Sequence, residues 1–184
     1  MKPVVVVDYG AGNTHSVRAA LTRLGRDSTL SADPNDLVDA DLVILPGVGS
    51  ARAAMKHLVG TGADDALRER LALARRTIGI CLGMQLALER SEEDGGVETL
   101  ALVAGTVRRL SAQRTPRIGW AMVEPWGESY YFAHSYVSDT AAQVATSDSL
   151  TAAISFGSFV GVQFHPEKSG AAGERWLASC LIPA

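Results

Sequence analysis

The sequence predicts an α/β protein. Its sheet is open, mixed and largely parallel, flanked by helices, with an antiparallel portion supplied by the second half of the chain. Three observations carry this. Short continuous apolar runs, as in strands buried on both faces, recur at residues 3–7, 41–45 and 76–81. Each is followed by a helical pattern, and that repetition argues parallel strands joined by crossovers. Past residue 105 the pattern changes to short strands separated by turns.

The elements follow in order. Residues 3–7 (PVVVV) form a strand that breaks at Gly10-Ala11-Gly12-Asn13. Val17, Ala20, Leu21 and Leu24 then share one helical face, and Gly25 stops that helix. Residues 28–30 suit a short strand and residues 37–40 a linking helical turn. The strand at 41–45 ends in Pro46-Gly47-Val48-Gly49-Ser50, and helices are predicted over 52–58 and 63–75. A strand at 76–81 leads directly into a helix at 82–89, and residues 92–96 form a short acidic loop. Strands are then expected at 106–110, 122–124, 130–134, 143–146, 153–156 and 159–164. Gly157-Ser158 gives the last two a hairpin turn. A helix at 172–181 closes the chain. With no internal repeat, low-complexity segment or linker, one domain spanning residues 1–184 is expected.

Composition narrows the function classes. The chain has 184 residues, 47% apolar, with a formal net charge of −3. That charge gives no basic field for nucleic acid. The MKPVVVVDYG start is too short an apolar run for a signal segment or a membrane span. Two cysteines, Cys81 and Cys180, make no disulfide framework and point to a reducing, cytoplasmic setting. Cys180 shares the last helix with Trp176, Leu177 and Leu181 and reads as core. His15, His57 and His134 show no zinc-ligand spacing, so no metal is expected. Gly10 to Asn13 lacks the dinucleotide spacing, and Pro46 to Ser50 lacks the phosphate-loop spacing and its lysine. No cofactor is expected.

Two stretches could carry chemistry. Cys81 sits at a strand end just before a helix, flanked by Gly79 and Gly83. In an open α/β sheet ligands gather at such ends. Free N–H groups and the helix dipole there favour a thiolate, and the glycines would let the backbone turn sharply. The same residues equally describe a small buried cysteine in a tight turn. His165-Pro166-Glu167 ends another strand. Pro166 would hold His165 extended, so that Glu167, two residues on, points the same way and reaches one ring nitrogen while the other faces a thiol. That would be a nucleophile–base–acid relay. The alternative is a histidine capping a strand with Glu167 on the surface. The Gly47-Val48-Gly49 turn could aim an N–H at a developing oxyanion, or be an ordinary β–α turn.

Three motifs, LPGVG at Leu45 to Gly49, GICLGMQ at Gly79 to Gln85 and HPEKSG at His165 to Gly170, resemble in order those of the class I (triad) glutamine amidotransferases. The opening VVVVDYGAGNTHSVRAAL and FAHSY at Phe132 to Tyr136 are similar to the glutaminase subunits of imidazole glycerol phosphate synthase in particular. The resemblance runs through essentially the whole chain. It departs at Thr14-His15, where Leu-Arg or Leu-Lys is usual, and at Ala121, where Asn is usual.

The resemblance implies a flavodoxin-like three-layer sandwich and a glutaminase of histidine biosynthesis. Cys81 would be the nucleophile, His165 the base and Glu167 its orienting acid. Leu82 and the Gly47-Val48-Gly49 turn would supply oxyanion donors. Gln85, His134, Ser135 and Tyr136 would hold glutamine. It further implies a heterodimer with a (β/α)8-barrel cyclase subunit. Ammonia would pass to that subunit, which converts N'-[(5'-phosphoribulosyl)formimino]-AICAR ribonucleotide to imidazole glycerol phosphate and AICAR. Asn13, Tyr131 and Lys168 would lie at the interface. The glutaminase of pyridoxal phosphate synthase is the alternative within the class, disfavoured by PGVG in place of a GGES-type turn. A cysteine peptidase or a non-catalytic binding module fits the set of motifs less well.

Overall fold

Four valines make β1 (Val4–Val7), and their alternation divides the molecule. Val4 and Val6 point into one apolar core, Val5 and Val7 into another. A computed structural model describes residues 3–10, 13–111, 113 and 115–182. The first half continues α1 (Thr14–Arg23), β2 (Ser28–Ser31), α2 (Pro34–Asp39), β3 (Leu42–Leu45), α3 (Ala51–Thr61), α4 (Ala63–Ala72), β4 (Arg76–Ile80) and α5 (Leu82–Leu86). The second half holds β5 (Arg90–Ser91), β6 (Val97–Glu98), β7 (Thr106–Arg109), β8 (Arg117–Val123), β9 (Glu128–His134), β10 (Tyr136–Asp139), β11 (Gln143–Ser147), β12 (Leu150–Phe156), β13 (Phe159–Val162) and α6 (Gly170–Leu181).

The central sheet has the order β11-β12-β13-β4-β3-β1-β2. From β13 to β2 every pairing is parallel, whereas β12 and β11 are antiparallel. The predicted mixed, largely parallel sheet is therefore present, with its antiparallel edge from the second half. On one face the core joins α2, α3, α4 and α5 to the sheet, through residues such as Leu37, Leu58, Leu67 and Met84. On the other it joins α1, α6 and the β8–β9 hairpin, through Leu21, Trp176, Tyr130 and Phe132. Phe164 stacks on Tyr130 at 4.0 Å between ring centroids and meets Trp126, Phe132 and Trp176 edge-on. Arg70, fully buried, ties the layers together. Its guanidinium donates to Ala40 O at 2.8 Å and to Thr77 Oγ1 at 3.1 Å.

Several boundaries differ from the sequence prediction, each for a physical reason. The linking turn predicted at 37–40 is a capped helix, because Asp33 accepts from the Asn35 N–H and Pro34 suits the first turn. The helix after Cys81 stops at Leu86, since the chain must swing into β5. The acidic loop at 92–96 is a short 3-10 turn, Glu93–Gly95, set between β5 and β6. The strand predicted at 122–124 spans Arg117–Val123. Its outward residues Ile118, Trp120 and Met122 are apolar, which hides the usual polar alternation. β10 escapes the sequence pattern altogether, while β12 begins at Leu150 and β13 ends at Val162.

The strand order places the site. The carboxyl ends of β13, β4, β3 and β1 lie side by side. They lead respectively to Gln163–His165, Cys81, the Pro46-Gly47-Val48-Gly49 turn and the Asp8–Gly10 segment. Ala11 and Gly12 of that first loop lie outside the described residues.

Candidate active site

Cys81 occupies the turn between β4 and α5 with φ 51° and ψ −107°. For a residue with a side chain this is a sparsely populated conformation, costing roughly 1–3 kcal/mol. It is the geometry of a nucleophile elbow, in which the backbone itself thrusts the side chain out of the sheet edge. The role of the two glycines differs from the expectation. Neither Gly79 nor Gly83 has positive φ, so Cys81 alone makes the sharp turn. The glycines supply room. A Cβ on Gly83 would lie 2.0 Å from Leu45 O, and one on Gly79 would lie 2.7 Å from the Phe159 ring. Gly47 is packed as tightly, its Cβ position falling 1.8 Å from Ile80 O and 2.3 Å from Leu82 N. The Gly47 turn and the elbow are thus in backbone contact.

His165 approaches from β13. The residue is 2% exposed, and its imidazole faces Cys81 on one side. Its Nδ1 meets Glu167 Oε1 at 2.9 Å. Burial alone would pull the imidazole down, but the bonds to Cys81 and Glu167, and the charges of both, outweigh it and hold His165 up at about 9. His165 is extended, as Pro166 requires. Glu167, however, does not arrive by strand alternation. The chain folds into a 3-10 turn over Pro166–Lys168, which carries the carboxylate back to the ring. Ser169 locks this turn by donating to His165 O at 2.7 Å and accepting from Tyr131 N at 2.9 Å.

Asn13 belongs to the same cluster. It stands at the N-cap of α1, where an asparagine ordinarily bonds the first free N–H groups, yet it makes no capping bond. Its amide instead donates to Glu167 Oε1 at 2.7 Å. Asn13, expected at the partner-facing rim, is half-buried and reaches the carboxylate beside His165.

The Pro46 to Gly49 turn is held from below. The buried Tyr9 hydroxyl donates to Pro46 O, and the Val48 N–H faces the same hydroxyl. Burial pushes the Tyr9 phenol well above its ordinary value, so it stays neutral. Of the expected donors, Val48 lies in the turn that Tyr9 holds at Pro46. Leu82 begins α5, so its N–H has no partner within the helix. Ser50 caps α3 through the Ala53 N–H, and Glu93 accepts from Ala51 N at 2.8 Å. The turn is thus clamped on its far side as well. Burial raises the Glu93 carboxyl.

Polar groups orient one another around the Tyr136 carbonyl. That oxygen accepts from Gln85 Nε2 at 3.0 Å and lies 2.8 Å from His134 Nδ1. A carbonyl only accepts, so His134 carries its proton on Nδ1. Burial lowers His134 to about 4, and the nearby Arg117 and His165 charges act the same way against the bond to Tyr136. At neutral pH the ring is uncharged.

A cleft of about 340 Å³ opens over these groups. Of the expected residues, Gly47, Val48, Gly49, Cys81 and Leu82 line it, as do Gln85, His134, Ser135, Tyr136, His165 and Lys168. Glu167 lies behind His165, and Tyr131 is on the neighbouring hairpin with its ring 6.1 Å from Trp120. Sequence reasoning missed Tyr9, Glu93 and Gln163. Gln163 sits immediately before the conspicuous Phe164-His165 pair, and only its polar character inside an apolar strand marked it out. His15 and His57 are exposed and far from such a role. Among the described residues no group of three or more His, Cys, Asp and Glu could hold a metal ion, and no helix is long and apolar enough to cross a membrane.

With this geometry in place, comparison with known proteins is informative. The family model for glutamine amidotransferase class-I matches residues 5–184. The imidazole glycerol phosphate synthase subunit HisH of Carboxydothermus hydrogenoformans is 40% identical over 190 residues, covering 94% of this chain and 96% of that protein. The subunit of the same name from Escherichia coli K12 is 38% identical, covering 97% and 98%. Among solved structures, a glutamine amidotransferase superposes with a TM-score of 0.80 at 20% identity, covering 96% of this chain and 97% of that one. The structure of PurLQS from Thermotoga maritima gives 0.76 at 19%, covering 98% of each chain. At such identities the likeness is one of fold.

Proposed function

Because this chain belongs to the class-I glutamine amidotransferases, and within them to the family of imidazole glycerol phosphate synthase HisH subunits, we propose that Cys81, His165 and Glu167 are its hydrolytic machinery. The chain is the glutaminase subunit of imidazole glycerol phosphate synthase, in histidine biosynthesis. It hydrolyses glutamine to glutamate and ammonia, and works with a cyclase subunit that consumes the ammonia. The observation that carries the reading is the strained Cys81 elbow facing a His165–Glu167 pair.

The chemistry follows from the groups. Cys81 Sγ attacks the side-chain amide carbon of glutamine. The Cys81 proton passes to His165, which the adjoining sulfur and carboxylate hold above the ordinary imidazole range against the pull of burial. The imidazolium passes that proton to the departing ammonia, and the carbonyl carbon is left as a Cys81 thioester. The neutral imidazole then takes a proton from water, which attacks the thioester and frees glutamate. The Leu82 N–H serves the oxyanion, together with an N–H of the Gly47 to Gly49 turn once that turn releases Tyr9. Gln85, His134, Ser135 and Tyr136 wall the substrate site, and Glu93, on the same wall, suits its ammonium group.

The partner is a (β/α)8-barrel cyclase. It docks on the face where Ile118, Trp120 and Met122 project from β8, half or more exposed or nearly so, beside the mouth lined by Ile118 and Lys168. A contiguous apolar rim of this kind is costly in water and suits a subunit interface. Lys168 and Tyr131 contribute to it. The protein is expected to act in the cytoplasm.

The test is ammonia release from glutamine, with and without a cyclase subunit and its nucleotide ligand. Release that rises sharply with both is expected. Peptide cleavage, or no turnover under any condition, would overturn the reading.

A further inference from the structure

We infer that Gln163 is a further catalytic residue, which holds the Cys81 sulfur in place and stabilises it as a thiolate by a hydrogen bond from its side-chain amide. Gln163 is fully buried, next to the strand β13 that carries His165. Its Nε2 lies 3.5 Å from Cys81 Sγ, within the range of a bond to sulfur, and its Oε1 lies 2.9 Å from Gln85 Nε2.

The direction of this bond is fixed by its surroundings. Gln85 Nε2 touches the Tyr136 carbonyl, which can only accept, so the NH2 group of Gln85 must be the one on that side. The same NH2 group then donates to Gln163, which must present its oxygen. Rotating the Gln163 amide would set two NH2 groups against each other and leave its oxygen facing the sulfur. Its own NH2 group is therefore turned to Cys81. The orientation of the donor to the nucleophile is set, two amides away, by the carbonyl of a residue on the substrate wall.

A buried glutamine is costly unless its polar atoms are used, and this one spends its NH2 on a sulfur, a weak acceptor when protonated. The bond is much stronger to a thiolate. Gln163 and His165 lie two residues apart on the segment that leaves β13, and both face Cys81. The sulfur thereby meets an amide donor as it gains charge. When the thioester forms the charge disappears, and when the thioester is hydrolysed the amide meets the returning thiolate.

The inference rests on the glutaminase reading, and its test is separable from it. The rate at which iodoacetamide alkylates Cys81 is measured from pH 6 to 10 in the wild type, in Gln163→Met and in Gln163→Asn, with near-ultraviolet circular dichroism reporting the fold. Both variants are expected to react about tenfold more slowly at pH 7, in line with a lost hydrogen bond to a charged group. They should converge on the wild type at high pH, where the thiolate forms without help. A wild-type profile in either folded variant overturns the inference, as does a slowing equal at every pH. Collapse of both folds also overturns it, by marking Gln163 as a packing residue. Glutamine turnover by the wild type with its partner decides the glutaminase reading by itself.

Discussion

Asn13 and His165 converge on one oxygen, Oε1 of Glu167, at 2.7 and 2.9 Å. The acid that orients the imidazole is thus itself oriented from the first loop, across 154 positions of sequence. A carboxylate held by two donors cannot swing away from the ring. Replacing Asn13 with Ala should lower kcat for glutamine about tenfold, as expected for a hydrogen bond to a charged group. KM and the affinity for the cyclase should change little. Steady-state kinetics and a binding titration check this, and a variant impaired only in cyclase binding would place Asn13 at the interface instead.

The raised His165 also gives a pH dependence to stability. Its folded value of about 9 lies above the ordinary imidazole value of 6.5. The charged ring is therefore favoured by folding. Its contribution is fully present below about pH 6.5 and disappears as pH rises through about 9. Denaturant midpoints of the wild type and His165→Asn should differ most at pH 6 and draw together by pH 10. A gap that widens with pH would refute the assignment.

Positive φ at Cys81 reverses an ordinary preference. At most positions Ala is more stable than Gly, because Gly has more freedom to lose. At φ 51° the order should invert, with Cys81→Gly about 1 kcal/mol more stable than Cys81→Ala. Both should be inactive towards glutamine. Thermal unfolding of the pair measures the difference.

Tyr9 fastens the turn proposed to supply an oxyanion donor, through Pro46 O. Tyr9→Phe keeps the packing and removes the fastening. The expected result is severalfold faster glutamine hydrolysis without the cyclase, and about 1 kcal/mol less stability. Unchanged basal hydrolysis in a folded variant would show that the hydroxyl does not restrain the turn.

Trp120 is 60% exposed on β8, edge-on to Tyr131. An exposed side chain contributes little to the fold, and an aromatic at the centre of an interface contributes much to binding. Trp120→Ala should weaken cyclase binding at least tenfold while leaving the melting temperature within a degree or two. Isothermal titration and calorimetry read the two effects separately.

The parallel strands were legible because burial on both faces leaves a plain signature, as in Val4–Val7 and Leu42–Leu45. β8 was read only over its last residues, because its outward positions hold the exposed apolar Ile118, Trp120 and Met122, which hide the alternation. The triad proposed here was legible as residue types at the ends of strands. Its supports were not. Nothing local to Asn13, Tyr9 or Gln163 tells which distant atom each will meet. Glu167 was found for an incomplete reason, since a 3-10 turn rather than an extended chain returns it to His165.

The order β13-β4-β3-β1 carries a consequence for biosynthesis. The nucleophile strand lies in the middle of this group, but its neighbour β13 is the last strand of the sheet to leave the ribosome. On the roles proposed above, until it docks Cys81 has no base, no acid behind the base and no amide beside the sulfur. A nascent or truncated chain therefore carries an unassisted thiol rather than a working hydrolase. Chemical competence coincides with completion of the sheet.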